Sequence, residues 1–337
     1  MTAQPLITLG RKDLATDQEV RWCPGCGDYA ILKSVQGALA GLGVAKENMV
    51  IISGIGCAAR FPYYMDTYGF HSIHGRAPAF ATGAKMANPD LSVWVVGGDG
   101  DMMSIGGNHL IHLLRRNVDL TVLLFNNRIY GLTKGQFSPT SGLGIKTKSS
   151  PMGSIDPAFN PLALALGAGA TFVGRSVDIW GKHLEAMVTA AHAHKGTSFI
   201  EILQNCIIFN KDVHDGAIGR AEKAEHSVDL VHGEPLIFGE NRDKGIRLDG
   251  FTPRIVNVAD VDPSQLLVHD ETTDSAAYAQ LLASFDIPDL PVVTGILRKV
   301  QRPTYEVSIA DQVKLAQAAG RPSLDDLFSQ GDTWTVQ

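Results

Sequence analysis

The sequence predicts an α/β fold: a mostly parallel sheet flanked by helices, continued by an irregular C-terminal extension. Helical and strand-like signals alternate from about residue 28 to residue 205, the pattern of successive strand–helix units. The helical runs are bounded by glycine and proline. Each apolar strand-like run ends in a glycine-rich or amide-rich turn, "GIGC", "GGDGD", "NN" or "QNC".

The elements follow in order. Asp28 is the expected N-cap of a first helix, in which Ile31, Leu32, Val35, Leu39 and Leu42 recur at helical spacing until Gly41 and Gly43 end it. "MVIIS" reads as a buried strand running into "GIGCAAR". A short helix fits between Pro78, tolerated in a first turn, and Pro89, which cannot continue one. "LSVWVV" is the next strand and "GGDGD" its turn. A helix beginning near Ser104 carries "IGGNHLIHLLRRN", and "LTVLLF" forms a strand that stops at "NNRIYG". After a mobile-looking "GQFSPTSGLGIKTKSSPMGS", helical signals at 157–167 and 178–194 bracket a weak strand, "ATFVG". The last clear strand, "SFIEIL", leads into "QNC". Parallel strands put their carboxyl ends on one edge, where ligands of open α/β sheets bind, so these turns are expected to meet. The domain expected over residues 20–210 carries all of them. Residues 211–337 read as an extension packed on the domain or on a partner, with "GRPSLDDLFSQGDTWTVQ" as a tail.

Bulk properties narrow the function class. The 337 residues are 45% hydrophobic and 19% charged, ordinary globular composition. Four cysteines are too few for a disulfide scaffold, and "MTAQPLITLGRKDLATDQEV" lacks the basic region and apolar core of a secretory signal, so a reduced, cytoplasmic protein is expected. No apolar run approaches a membrane span. A formal net charge of -6 argues against general nucleic-acid affinity.

The acidic glycine turn carries the chemistry. A Rossmann protein would hold pyrophosphate on backbone amides at this position, and the carboxylates of Asp99 and Asp101 would repel it. A divalent cation reverses that sign, because Mg2+ takes oxygen ligands and joins a carboxylate to phosphate oxygens. Asn127, 28 residues beyond Asp99, can offer an amide oxygen, and the turn at Ile129 a backbone carbonyl. The helix near Ser104 would aim its amides at the diphosphate. Taken singly, each half reads as a solvated turn; Gly98-Asp99-Gly100 followed by Asn126-Asn127 resembles the metal–diphosphate motif of thiamine diphosphate enzymes. "GIGCAA" fits the dinucleotide fingerprint G-x-G-x-x-A, but the region about 20 residues on, where an acid should hold the ribose, reads "HSIHGRAP".

Cys23 and Cys26 precede the first helix, Cys57 follows the first strong strand and Cys206 the last. A thioredoxin-like dithiol uses only the first pair. Structural zinc usually takes two local pairs. An iron–sulfur cluster tolerates scattered ligands, and buried inert thiols account for Cys57 or Cys206 singly but poorly for "CPGC". Arg60, three residues past Cys57, can pair a substrate carboxylate. Arg76, His71 and His109 read as structural, and Arg115–Arg116 as the solvated end of a helix.

The chain resembles the beta subunits of 2-oxoacid:ferredoxin oxidoreductases, most closely the 2-oxoglutarate branch. The match runs from "CPGCGDYAIL" through "GIGCAARFPYYMDTYGFHSIHGRAPAFATGAK", "GGDGDMMSIGGNHLIHLLRRN" and "NNRIYGLTKGQFSPTS" to Cys206, and more loosely into "HDETTDSAAYAQLLA". The resemblance implies a [4Fe-4S] cluster on Cys23, Cys26, Cys57 and Cys206. It implies Mg2+ on Asp99, Asn127 and the Ile129 carbonyl, and thiamine diphosphate contacts from Ile55, Gly56, Cys57, Ala58, His74, Gly100, Asp101, Gly131 and Leu132. The implied reaction takes a 2-oxo acid and coenzyme A to acyl-CoA, succinyl-CoA in this branch, and carbon dioxide, reversibly, with electrons leaving to ferredoxin. The aminopyrimidine-binding domain of such enzymes has no counterpart in this chain. An alpha subunit is therefore expected to supply it, along with the coenzyme A site, in an (alpha-beta)2 assembly. The competing readings are the same chemistry on pyruvate or another 2-oxo acid, a thiamine diphosphate decarboxylase subunit without electron transfer, and a noncatalytic zinc-stabilised subunit.

Overall fold

The computed structural model describes residues 8–320 and 323–336. The first seven residues of the stretch read for a leader lie outside it, as do residues 321, 322 and 337 of the tail.

Among the described residues, eleven strands form two sheets. They are β1 (Met49–Ser53), β2 (Tyr68–His71), β3 (Ser92–Gly98), β4 (Leu120–Asn126), β5 (Phe172–Val177), β6 (Thr197–Leu203), β7 (Ser227–Leu230), β8 (Ile237–Phe238), β9 (Lys244–Asp249), β10 (Thr252–Asn257) and β11 (Val292–Lys299). The main sheet has the order β2-β1-β3-β4-β6-β5-β11-β7. Every pairing in it is parallel except β11 with β5. Strands β8, β9 and β10 make a small antiparallel sheet.

The main helices are α1 (Asp28–Ala40), α2 (Ala77–Ala87), α3 (Asp99–Met102), α4 (Gly107–Arg116), α5 (Pro161–Gly167) and α6 (Gly181–Ala193). Strand residues alternate between two cores. Val50, Ile52, Val93, Val95, Val122 and Leu124 pack with Leu110, Leu113 and Leu114 of α4 and with Leu162 and Ala165 of α5. Met49, Ile51, Trp94, Val96, Leu123 and Phe125 pack on the other face with Ile31, Val35 and Leu39 of α1 and with Leu184 and Val188 of α6. Covered on both faces, these strands can be apolar throughout, which is why they stand out in the sequence.

Several elements differ from expectation. Asp28 is the first helical residue and Gly27 the cap; the Asp28 side chain makes no cap bond and is buried. The helix expected near Ser104 starts at Gly107, because a separate turn of helix, α3, begins at Asp99 itself. The edge strand β2 has all four residues exposed, and so lacks the apolar signal of its neighbours. The segment after residue 210 is more regular than the weak alternation suggests: β7 and β11 extend the main sheet. The stretch 135–154 is anchored, with Ser138, Thr140, Ser141 and Ser154 buried.

Candidate active site

The carboxyl ends of β1, β3, β4 and β6 bring the sequence-predicted residues to one edge. A cavity of about 490 Å³ opens there, lined by Ile55–Ala58 from the turn after β1, His74, Gly98–Asp101 after β3, and Asn127 with Ile129–Leu132 after β4. Its rim is apolar and open: Ile55 and Leu132 are 36% and 48% exposed.

Asp99 lies on the cavity wall and is only 1% exposed. Its Oδ2 accepts hydrogen bonds from Ser138 Oγ and Thr140 Oγ1, both at 2.5 Å, the length of charge-assisted O–H···O⁻ contacts. No Lys or Arg pairs with it among the described residues. Burial pushes its carboxyl up to about 6, against the pull of the two hydroxyls and the Gly100 and Asp99 amides. A buried carboxylate held by neutral donors is a donor set suited to a hard cation. Asn127 Oδ1 accepts from the Ile129 N–H at 3.1 Å, so the turn holds the Asn127 amide oxygen and the Ile129 backbone together.

Asp101 has a different environment. Its Oδ1 accepts from the backbone N–H of Ile55 (3.0 Å) and of Gly75 (2.7 Å) and lies 2.9 Å from His74 Nδ1. It therefore ties the turn after β1 to the loop after β2, although Oδ2 is buried without a partner. Burial raises its pKa, opposed by those N–H donors and His74. A Cβ on Gly54 would sit 2.0 Å from Asp101 Oδ2, so the first glycine of "GIGCAA" makes room for a carboxylate. Gly100 is equally constrained. A Cβ there would stand 2.3 Å from the Tyr130 ring, whose hydroxyl donates to the Gly100 carbonyl at 2.8 Å.

The four cysteines share this edge as free thiols. A Cβ on Gly131 would meet Cys206 Sγ at 3.5 Å and Cys57 Sγ at 3.6 Å. Gln204 Nε2 donates to Cys26 Sγ at 3.3 Å. Behind Cys57, Trp22 Nε1 donates to its carbonyl at 2.7 Å and stacks edge-on against Tyr64. Burial pushes the Cys57 thiol up to about 12 and that of Cys26 higher still; Asp28 and the other cysteines add to both shifts. To serve as metal ligands such thiols would have to give up their protons on binding. Cys23 is the exposed member of the set.

Among the described residues no three His, Cys, Asp or Glu side chains meet at one point as ligands of a single ion. Neither expected group asks for that. The magnesium set has one carboxylate, one amide oxygen and one carbonyl. A cubane cluster takes one thiolate per iron, so its sulfurs stand apart.

Arg60 is not brought into the cavity. It lies in a 3-10 helix, Ala58–Tyr64, and its Nε donates to Tyr64 Oη at 3.1 Å. The residues that line the cavity include no Lys or Arg. Sequence reasoning missed Tyr130, Asp28, Ser138 and Thr140. Asp28 is buried, with Oδ2 unpartnered, and burial raises its carboxyl to about 7, opposed by a hydrogen bond with Cys26. The apolar flanks of Asp28 pointed to a helix start and hid it. Ser138 and Thr140 sit in a stretch whose composition is that of a loose loop.

Residues 54–202 match the family model of the thiamine pyrophosphate enzyme C-terminal TPP-binding domain. The chain is 54% identical over 330 residues to the 2-oxoglutarate oxidoreductase subunit KorB of Mycobacterium tuberculosis, covering 96% of this chain and 88% of that one. It is 47% identical over 263 residues to the beta subunit of 2-oxoacid:ferredoxin oxidoreductase 2 of Aeropyrum pernix, covering 78% and 84%. Its fold superposes with a TM-score of 0.77 on a solved structure 32% identical in sequence, with 98% of each chain covered. That structure is a 2-oxoglutarate:ferredoxin oxidoreductase from Magnetococcus marinus with 2-oxoglutarate, coenzyme A and succinyl-CoA bound.

Proposed function

Because the chain belongs to the beta subunits of the 2-oxoacid:ferredoxin oxidoreductases, we propose that its cavity holds the diphosphate end of thiamine diphosphate and that its four cysteines hold a [4Fe-4S] cluster beside it. The single observation that carries this reading is the shared wall. Cys57 lines the same cavity as Asp99 and Asn127, and Cys206 lies with it beside the Gly131 turn.

Asp99, the Asn127 amide oxygen and the Ile129 carbonyl would hold Mg2+ against the diphosphate. When bound, thiamine diphosphate supplies the electron sink that lets a 2-oxo acid lose carbon dioxide. This chain's residues do the rest locally. Asp101 fixes the turn at Ile55 and orients His74 through Nδ1. Ile55 and Leu132 keep the mouth apolar and await a covering surface. Cys57, on the cavity wall, would hold a cluster close to the cofactor.

The covering surface would be the alpha subunit, with its aminopyrimidine-binding domain and coenzyme A site, in an (alpha-beta)2 assembly that reduces ferredoxin in the cytoplasm. For 2-oxoglutarate the distal carboxylate needs a cation. Among the described residues the cavity lining has none, and Arg60 lies outside that lining with its Nε bonded to Tyr64. The alpha subunit is therefore the expected source of that charge. No described helix is long and apolar enough to cross a membrane.

Anaerobic purification with the alpha subunit, followed by viologen reduction with coenzyme A across several 2-oxo acids, tests the reading. The expected preparation is brown and reduces viologen fastest with 2-oxoglutarate. A colourless, zinc-containing preparation, or one that decarboxylates without reducing viologen, would refute it.

A further inference from the structure

Two sets of buried polar groups back the candidate metal site. Thr140 Oγ1 bonds Asp99 Oδ2 at 2.5 Å and lies 3.0 Å from Asn126 Oδ1. Asn126 Nδ2 donates to Glu201 Oε1 at 2.7 Å, and Arg175 Nε donates to Glu201 Oε2 at 2.7 Å. Thr140, Asn126, Arg175 and Glu201 are all at least nine-tenths buried. The amide orientation of Asn126 is fixed at both ends: its nitrogen faces a carboxylate, and its oxygen accepts the Arg128 N–H at 3.1 Å.

Hydroxyl protons can be assigned around Asp99. Ser141 Oγ donates to the Arg128 carbonyl at 2.6 Å and accepts the Ser138 N–H at 2.8 Å. The Ser138 hydroxyl proton is thereby left for Asp99 Oδ2, and the Thr140 proton makes the second bond to the same oxygen. Among the described residues, Oδ1 receives no side-chain hydrogen bond. Two donors on one oxygen fix the rotation of the carboxylate, which would otherwise be free to turn about its terminal torsion.

We propose that Thr140, seconded by Ser138, is a positioning residue for the metal site: together they lock Asp99 by Oδ2 beside the rigid Asn126–Glu201–Arg175 network, against which Thr140 is packed, leaving Oδ1 to the cation. The stretch after Gly135 is on this account the part that assembles the metal site before any ligand arrives. Thr140 does not line the cavity and acts through Asp99. The proposal rests on the reading of Asp99 as the magnesium carboxylate, and the experiment separates the two.

Mn2+ binding is measured by the EPR signal of free Mn2+, on the purified alpha–beta complex with thiamine diphosphate added. The variants are Thr140→Val, Thr140→Ser, Ser138→Ala and Asp99→Asn, each checked by thermal melting. Thr140→Val is expected to weaken Mn2+ binding roughly ten- to hundredfold, the worth of a hydrogen bond to a charged group. Ser138→Ala should act in the same direction, and Thr140→Ser should restore binding. A merely structural threonine would shift melting and leave the affinity of the folded complex alone. Loss of Mn2+ in Asp99→Asn with wild-type affinity in Thr140→Val and Ser138→Ala would overturn the positioning role. If Thr140→Val does not fold, Ser138→Ala decides by the same criterion. Wild-type Mn2+ binding in Asp99→Asn would overturn the metal-site reading and this proposal with it.

Discussion

Replacing Gly100 by alanine would put a methyl group where the Tyr130 ring already stands. The new carbon would lie 2.3, 2.6 and 2.8 Å from three ring atoms, far inside van der Waals contact, so the ring must move. Its hydroxyl is tied to the Gly100 carbonyl at 2.8 Å, which leaves it little freedom to slide without losing that bond. Overpacking of this kind costs about 1–3 kcal/mol, and the lost hydrogen bond about 1 kcal/mol more. The open side available to the ring is the cavity, so relief of the clash closes the site. Urea unfolding should show a midpoint lowered by the equivalent of about 2–4 kcal/mol at constant slope, and thiamine diphosphate affinity, followed by fluorescence quenching, should fall in parallel. Adding Tyr130→Ala to Gly100→Ala should recover part of the midpoint, since the two residues are in contact and couple. A Gly100→Ala protein with wild-type midpoint and affinity, or one that Tyr130→Ala does not rescue, would refute the reasoning.

Three further outcomes follow from the same geometry. Glu201→Ala strands the buried Arg175 guanidinium and unties Asn126, so urea unfolding should show a loss of about 3–5 kcal/mol, the usual cost of breaking a buried pair. Gly131→Val points methyl groups at Cys57 and Cys206 Sγ; iron content per chain should drop while the melting temperature of the iron-free protein stays near wild type. The carboxyl of Asp99 is raised to about 6 by burial, so its contribution to stability is fully present below the ordinary carboxylate pKa and is lost as pH rises through about 6. In metal-free protein the urea midpoint of Asp99→Asn should therefore rise relative to that of wild type from pH 4.5 to pH 7.5. The difference isolates Asp99 from His194 and His214, which burial holds down at about 4 and which pull the other way. A gap independent of pH would contradict the burial argument.

The legible parts of this protein are those where burial on two sides writes itself as uninterrupted apolar sequence. Strands β1, β3, β4 and β6 are buried throughout or nearly so, and the functional turns sit at their ends, so both fold class and site edge could be read from residue pattern. Strand β2 is exposed along its length, and β7 is four residues long, too short for periodicity to register. Strand β11 was obscured for another reason: Pro288, Pro291 and Pro303 punctuate the run that contains it, and proline argues against a central strand. Within the site, Asp99 and Asn127 were legible because a glycine turn and an amide turn carry recognisable spacing. Thr140 and Ser138 were not, because their importance lies in where a loop folds back, and serine, threonine and proline read as loose loop wherever they cluster. Asp28 was misread as a cap because helix-start preference explains an aspartate there as well as a buried one does. Arg60 shows the converse limit: proximity to Cys57 in sequence does not say which way a side chain turns, and Tyr64 one helical turn on captured it.

The measurement that bears most directly on a shared edge for cofactor and cluster is low-temperature EPR of the anaerobic alpha–beta complex mixed with 2-oxoglutarate and coenzyme A. A reduced four-iron signal that grows on mixing, and disappears in Cys57→Ser and Cys206→Ser preparations that still fold, is the predicted result. A complex that turns over 2-oxoglutarate with no iron signal, or whose signal survives both substitutions, would contradict it.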